Sequence, residues 1–312
     1  MELSGRRPVQ ALCREMSVNR SGFHECRSRR AAPSEKARKK AADIALFMGF
    51  HARHPSHGYR WLNAKIRLDL GLVMSDECAR RCCRYAGIAS ECHHYRCRKP
   101  GEPGRSYPNM ILASLDVTGP FQVVVSDMTA FWAAGQYWEL TLYMDLWDDE
   151  IVGYGLTHKK GDPSGYYAGL AMFLEAKKEK YMGLETIFHT DHGSVYSSKG
   201  YNEILQPYDI TRTMSDPGTP TQNGAMEAIN GWLKTELFAD FGIAGSDDVP
   251  KQVADYVRYF NEGRPMCCLG YLTPKQYKDA HGKEAGASKT PSTCLRLPSA
   301  RLQLPAIVST YR

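Results

Sequence analysis

The sequence of 312 residues has no long apolar run. Its longest, Gly165 to Leu174, falls well short of the roughly 20 residues that a membrane-spanning helix needs. The first residues, Met-Glu-Leu-Ser-Gly-Arg-Arg-Pro, lack the hydrophobic segment of a secretory signal, so a cytoplasmic location is expected. No internal repeat is found, which argues against solenoids and propellers. No heptad run is found either, which argues against a leucine zipper. The 27 glycines and 17 prolines are near average usage and exclude collagen-like structure and wholesale disorder.

Hydrophobic residues make up 43% of the chain, enough for a core of normal size, and the length suggests two or three units. The formal charge of +6 conceals an asymmetry. Residues 1–100 hold 21 Lys and Arg against 9 Asp and Glu, a net of +12, while residues 101–312 carry a net of −6. A basic front joined to a mildly acidic remainder points to a polyanion-binding module attached to something else; a solvated basic surface is the plainer alternative. Seven of the ten cysteines precede residue 98, and Cys78, Cys82, Cys83, Cys92 and Cys97 crowd around His93 and His94. Structural zinc sites pair closely spaced ligands twice over, and this run does not keep such spacing. Reduced thiols, half-buried on a helix, are the expectation.

Patterning divides the chain into five stretches. Residues 1–35 read as a helix-turn-helix remnant (8–26) running into a basic linker at 27–40, and residues 36–98 as a basic helical DNA-binding domain with helices at about 36–54, 58–70 and 75–87. Ser75 is placed as an N-cap, Gly71 and Gly87 as helix ends. Arg60, Arg80, Arg81 and Arg84 on these helices are candidate DNA contacts. A linker at 99–115 leads into 116–280. There, strands at Phe121–Trp132, Tyr137–Trp147 and Ile151–Thr157 form an antiparallel meander, with turns at Gly135 and at Asp148-Asp149-Glu150. A helix, a strand at Glu185–Thr190, a helix near 198–206, a strand near 209–214 and helices near 222–238 and 249–262 follow. Strands first and then strand–helix alternation imply a mixed α/β sheet with helices on both faces. Residues 281–312 read as a loose tail.

Three acids stand out by placement. Asp127 lies inside the first strand, Asp191 ends the fourth in His-Thr-Asp-His-Gly-Ser, and Glu227 sits on a helix. On that helix Met226, Ile229, Leu233 and Leu237 make an apolar stripe, and Asn223, Glu227, Asn230 and Lys234 a polar one. Converging carboxylates suit hard divalent ions, which promote phosphodiester chemistry. From placement alone, Asp145, Asp148 and Asp149 are equally good candidates.

The spacing of Asp127, Asp191 and Glu227, with 35 residues between the last two and Lys234 seven beyond, resembles the D,D-35-E signature of retroviral integrases and related transposases. Gly-Thr-Pro-Thr-Gln-Asn-Gly-Ala-Met-Glu, Trp-Leu-Lys-Thr-Glu-Leu, Tyr259-Phe260-Asn261-Glu262-Gly263-Arg264-Pro265 and Leu269-Gly270-Tyr271-Leu272-Thr273-Pro274 reinforce it. With Arg14, Ser21-Gly22-Phe23 and His57-Gly58-Tyr59-Arg60 upstream, the chain resembles, over about residues 8–280, the catalytic reading-frame product of the insertion-sequence-three family of bacterial transposases. Met266-Cys267-Cys268 replace the histidine usual after the closing Arg, and His192 stands where Arg or Lys is common.

The resemblance implies a ribonuclease-H-like mixed five-stranded sheet preceded by a small all-α region. It implies a Mg²⁺-dependent polynucleotidyl transferase with two metal ions, for which Mn²⁺ can substitute. Asp127, Asp191 and Glu227 would then be catalytic metal ligands, and Lys234, His192 and Asn223 would contact DNA. The implied partners are double-stranded DNA of element ends and target, further copies of the chain, and an upstream reading-frame product. The implied location is the nucleoid of a bacterial cytoplasm. A non-catalytic DNA-binding regulator and a ribonuclease-H-type nuclease are the competing readings.

Overall fold

A computed structural model describes residues 8–91, 117–215 and 224–282. Cys92, His93, His94 and Cys97, the expected linker at 99–115, Asn223 and the tail from 283 lie outside the described residues. The chain separates into two compact units, one helical and one α/β.

The helical unit contains α1 (Val9–Glu15), α2 (Arg20–Ala31), α3 (Glu35–Arg53), α4 (Tyr59–Leu70) and α5 (Asp76–Ala86). The basic segment 27–40 is not a linker: α2 runs on to Ala31 and α3 starts at Glu35. Arg and Lys are good helix formers, and Glu25 supports Arg29 one turn later, so charge density did not break the helix. Only the residues around Pro33 interrupt it. Phe47 and Phe50 of α3, Leu62 and Ile66 of α4, and Ala79, Cys82 and Cys83 of α5 form one buried cluster. The turn between α4 and α5 is set by Gly71 at φ +67° and by Ser75, whose hydroxyl accepts from the Cys78 amide at 3.3 Å. Cys82 and Cys83 are core thiols, and burial pushes the Cys83 thiol up to about 11.

The α/β unit is built from β1 (Val123–Ala133), β2 (Gln136–Asp145), β3 (Ile151–Thr157), α6 (Ser164–Lys180), β4 (Thr186–Thr190), α7 (Lys199–Leu205), β5 (Ile210–Met214), α8 (Gly224–Ala239), α9 (Val249–Glu262) and α10 (Pro274–His281). The strands lie in the order β3-β2-β1-β4-β5. β1, β2 and β3 form an antiparallel meander, while β4 and β5 run parallel to β1. These are the five strands, mixed in direction, expected of a ribonuclease-H-like sheet. Two apolar layers sandwich it. Val125, Phe131, Trp138, Leu140, Leu142 and Met144 pack with Met226, Ile229, Leu233 and Leu237 of α8 and with α9. Val124, Tyr143 and Phe188 pack on the other face with α6 and α7.

The approach of α6 to β3 depends on glycine. A Cβ at Gly153 or Gly155 would collide with the carbonyls of Gly169 or Gly165, so helix and strand backbones touch without intervening side chains. Two features depart from expectation. α10 is an extra helix, opened by a capping box in which Thr273 and Gln276 bond reciprocally. Asp148 lies in a turn as expected, yet it is fully buried, as is Asp145. Lys278 of α10 folds over this turn and pairs with Glu150 and, at 3.8 Å, with Asp148. The turn is therefore covered by an element that the sequence pattern did not announce.

Candidate active site

β1 and β4 pair in parallel from Val123↔Ile187 to Ser126↔Thr190. The next residue on each chain segment is an acid. Asp127 and Asp191 therefore stand side by side at the point where β4 ends and β1 continues, paired with β2 only. Asp127 is held twice: Oδ1 accepts from the Met128 amide at 2.8 Å, and Oδ2 accepts from the Asn230 side-chain amide of α8 at 2.8 Å. Asp191 Oδ1 accepts from the Gly193 amide at 2.9 Å. A Cβ at position 193 would meet that same oxygen at 2.9 Å and the Tyr196 ring at 3.2 Å, so any larger residue there would push the Asp191 carboxylate aside. Burial pushes the Asp191 carboxyl above its ordinary range, against the pull of the Gly193 bond and of His192.

Glu227 lies on α8, three residues before Asn230. Its side chain is outside the described residues. The Asn230–Asp127 bond turns this stretch of the polar stripe toward β1. Among the described residues no group of three or more His, Cys, Asp and Glu forms a metal cluster. What is present suits a hard cation: two adjacent carboxylates, one of them largely desolvated, and the Asn230 Oδ1 buried with no hydrogen-bond partner among the described residues.

The two acids rest on a rigid floor. Ser126, just before Asp127, shares a 2.8 Å hydrogen bond with the Tyr196 hydroxyl. Tyr143 and Tyr201 share one at 2.6 Å, and the Tyr143 hydroxyl donates to the Tyr166 carbonyl at 2.8 Å. Tyr166 packs edge-on against Tyr196 at 5.1 Å. Burial, and then the charges of Asp191, Glu139 and Asp127, push its phenol strongly upward and keep it neutral. His189, two residues before Asp191, is fully buried between β4 and its neighbours, within 3.4 Å of Thr213 and 3.0 Å of Ser215. Desolvation and the nearby Arg212 push it down to about 4, so it is neutral at physiological pH.

The pair that anchors α8 was not among the expected site residues. Glu236 on α8 and Arg264 after α9 are both buried, and the guanidinium donates through Nε at 2.8 Å and Nη2 at 2.6 Å to Oε1. Tyr256 of α9 donates to Oε2 at 3.1 Å. A usable signal existed: Glu236 adjoins the apolar stripe, where an acid needs a partner.

The expected DNA contacts are scattered differently. Lys234 is half-buried on α8, and His192 directly follows Asp191. In the helical unit, Arg60 lies 3.9 Å from Asp76 and is mostly exposed. Arg80 is bonded to Glu77 at 2.9 and 3.0 Å, and Arg81 lies 3.9 Å from the same carboxylate. Arg84 and Lys40 flank the exposed Tyr85 ring, Lys40 at 3.4 Å from its centre.

Residues 208–274 match the Integrase core domain family. The chain is 25% identical over 278 residues to the putative transposase InsK for insertion sequence element IS150 from Escherichia coli, covering 87% of this chain and 94% of that protein. It is 22% identical over 277 residues to the transposase InsF for insertion sequence IS3A of Escherichia coli, again covering 87% and 94%. Among solved structures, the HTLV-2 integrase catalytic core domain in complex with magnesium is 17% identical, with a TM-score of 0.40 over 51% of this chain and 97% of that one. The resemblance read from the motifs thus extends along most of the sequence. No described helix is long and apolar enough to cross a membrane.

Proposed function

We propose that the chain is a DNA transposase that cleaves insertion-element ends and transfers the resulting strands to target DNA. The observation that carries this reading is the convergence of Asp127, Asp191 and the polar face of α8 at one end of β4. Similarity to insertion-sequence proteins over 87% of the chain supports it.

Asp127, Asp191 and Glu227 would hold divalent ions, Mg²⁺ or Mn²⁺. Bound there, such ions neutralise phosphate charge and favour the deprotonated nucleophile. The chain's own residues position the reaction. Asn230 fixes the rotamer of Asp127, the Gly193 amide fixes that of Asp191, and the tyrosine floor prevents either strand end from shifting. In the first step a water oxygen bonds to phosphorus and the P–O3′ bond breaks, leaving a 3′-hydroxyl on the element. In the second step that hydroxyl attacks a target phosphodiester and displaces the target's 3′-oxygen, so one P–O bond replaces another.

The helical unit is the DNA-docking module in this reading. Exposed Lys and Arg side chains release condensed counterions when they meet phosphates. Arg84 and Lys40 beside Tyr85 are its best-placed cations, because Arg80 and Arg81 already share Glu77. Further copies of the chain and an upstream reading-frame product are the proposed protein partners.

The test is strand transfer from labelled oligonucleotides bearing element ends, with Mg²⁺. Asp127→Asn, Asp191→Asn and Glu227→Gln should each lower cleavage and transfer by about 10³-fold, on the scale of losing one strong electrostatic group, while end binding is kept. Near-native transfer by Glu227→Gln defeats the catalytic assignment. End binding without transfer by the wild-type chain indicates the non-catalytic regulator instead.

A further inference from the structure

β4 stops at Thr190, but β1 continues to Ala133 and pairs with β2 as far as Ala133↔Gln136. At its tip this hairpin is covered on one side only. Phe131 and Trp138 point into the layer formed with α8, and the Ala134 amide donates to the Ala244 carbonyl at 3.1 Å. The opposite side carries Met128, Ala130 and Trp132 in register with Thr141, Glu139 and Tyr137. Met128 packs against the layer formed with α6 and α7, and Thr141 and Glu139 are buried, so this side is open only at its end, at Trp132 and Tyr137. Trp132 is 66% exposed, whereas Trp138 on the covered side is 9% exposed. The Tyr137 ring lies edge-on to Trp132 at 5.8 Å.

A basic loop borders the strip. His158, Lys159 and Lys160 are exposed and follow directly on β3. The loop is tied down: the Gly161 amide donates to both oxygens of Glu139 at 3.1 and 3.0 Å, and His158 packs against Trp138 at 5.9 Å. The nearby acids are largely engaged elsewhere. Glu139 is buried and also accepts from the Tyr137 hydroxyl at 2.9 Å. Asp162 accepts from the Ser164 amide at 2.9 Å and feels the charge of Lys159 only as a minor influence beside its hydrogen bonds. The strip therefore ends in an exposed indole and carries a loop of exposed cations along its border. Trp132 lies five residues along β1 from Asp127, about 17 Å at strand spacing.

We propose that this open end of the β1–β2 hairpin binds an unpaired DNA strand, with Trp132 stacking on a base and Lys159 and Lys160 meeting the phosphates. The inference rests on the transposase reading, which requires a strand end to lie beside Asp127 and Asp191. An exposed indole offers little to a duplex, whose base faces are hidden. It offers an unpaired base a stacking partner whatever its identity. A protein partner would be served by an apolar patch, but here the loop tied to Glu139 presents the exposed Lys159 and Lys160 and favours a polyanion.

The experiment compares two fluorescein-labelled DNAs of equal length, one blunt and one ending in a short unpaired 3′ tail. The full chain is titrated by anisotropy in EDTA, where no cleavage occurs. Trp132→Ala should weaken binding of the tailed DNA by about tenfold and of the blunt DNA by less than about twofold, the scale of one lost stacking contact. Trp132→Phe should keep most of the affinity for the tail. Lys159→Ala with Lys160→Ala should weaken both DNAs and reduce the salt slope by about two. Unchanged tailed-DNA affinity in Trp132→Ala overturns the proposal. So does a DNA-free dimer, seen by sedimentation, that Trp132→Ala dissociates, since the face would then cover a second copy. Metal-free binding is independent of the strand-transfer result for Glu227→Gln, so either reading can fail alone.

Discussion

The side-chain amide of Asn230 donates to Oδ2 of Asp127 at 2.8 Å, joining α8 to the central strand one helical turn from Glu227. This bond fixes which way the Asp127 carboxylate faces, and it aligns the helix with the strand. Asn230→Ala should lower strand transfer by about 10- to 100-fold, because small misplacements of a reacting geometry cost on that order. Asn230→Asp should be worse, since it sets a second negative charge against Asp127. Circular dichroism and thermal melting should show both variants folded, which separates misplacement from unfolding.

Much of this arrangement was legible in the residues. Alternation at Trp138, Leu140, Leu142 and Met144 identified β2 and its buried face, because a half-covered strand must repeat every second residue. The helical spacing of Met226, Ile229, Leu233 and Leu237 identified the buried face of α8 in the same way. Ser75, Gly71 and Gly87 marked helix ends through local backbone chemistry. Long-range partnership was not legible. Nothing near Asp148 in sequence announces Lys278, and nothing near Glu236 announces Arg264. Charge density misled at 27–40, where cations suggested a linker although Arg and Lys favour helix. The placement of Asp127 beside Asp191 needed the register of β1 against β4, which no local pattern encodes.

The contact between α6 and β3 gives a prediction on stability. Gly155→Ala would drive a methyl group into the Gly165 carbonyl, and a main-chain atom cannot swing aside. The helix must lift from the sheet, disturbing Tyr166 and the packing of Tyr143 on Gly169. A loss of about 3 kcal/mol is expected, at the upper end of overpacking costs, read as a lower urea midpoint at unchanged slope. Gly231→Ala on α8 is the control: a Cβ there meets nothing within 4 Å, and the helix gains propensity.

The buried pair Glu236–Arg264 predicts an asymmetric mutational response. Removing one partner strands a charge with no route to water, so Arg264→Met or Glu236→Gln should each cost about 3–5 kcal/mol. Replacing both, Arg264→Met with Glu236→Leu, should cost clearly less than the sum of the singles. The Tyr256 hydroxyl loses its acceptor in the double variant and keeps the cost above zero. Denaturant unfolding of the three variants and the parent measures the coupling. Additive costs would show that the pair is not a unit.

The turn between β2 and β3 predicts how stability follows pH. Asp145 is buried; desolvation pushes its carboxyl up to about 7, although the amides of Trp147 and Phe121 pull it down. Asp148 is raised well above its ordinary range by burial and by the charges of Asp145 and Glu150, against the pull of Lys278. Tyr181 also lies close to this group, its phenol raised by burial and by the same acids. The folded protein therefore binds protons on these acids that the unfolded chain has released once pH exceeds about 4. Stability is fully present below the unfolded value and is lost as pH rises toward 7 through the folded values. Asp148→Asn removes one of the two repelling charges and keeps the acceptor that receives the Glu150 amide at 3.0 Å. At pH 7 the variant should be stabilised by about 1 kcal/mol, a melting temperature higher by roughly 2–4 °C. The gain should shrink toward zero as pH falls to about 4, because Asp148 is then protonated in the folded chain and about half so in the unfolded one. Strand transfer should be unaffected, since the turn lies at the end of β2 opposite the hairpin tip, past the residues paired with Asp127. Calorimetric scans of parent and variant between about pH 4 and 8, across the window set by the unfolded and folded values, test this, and a gain that does not depend on pH would show that packing, not charge, decides it.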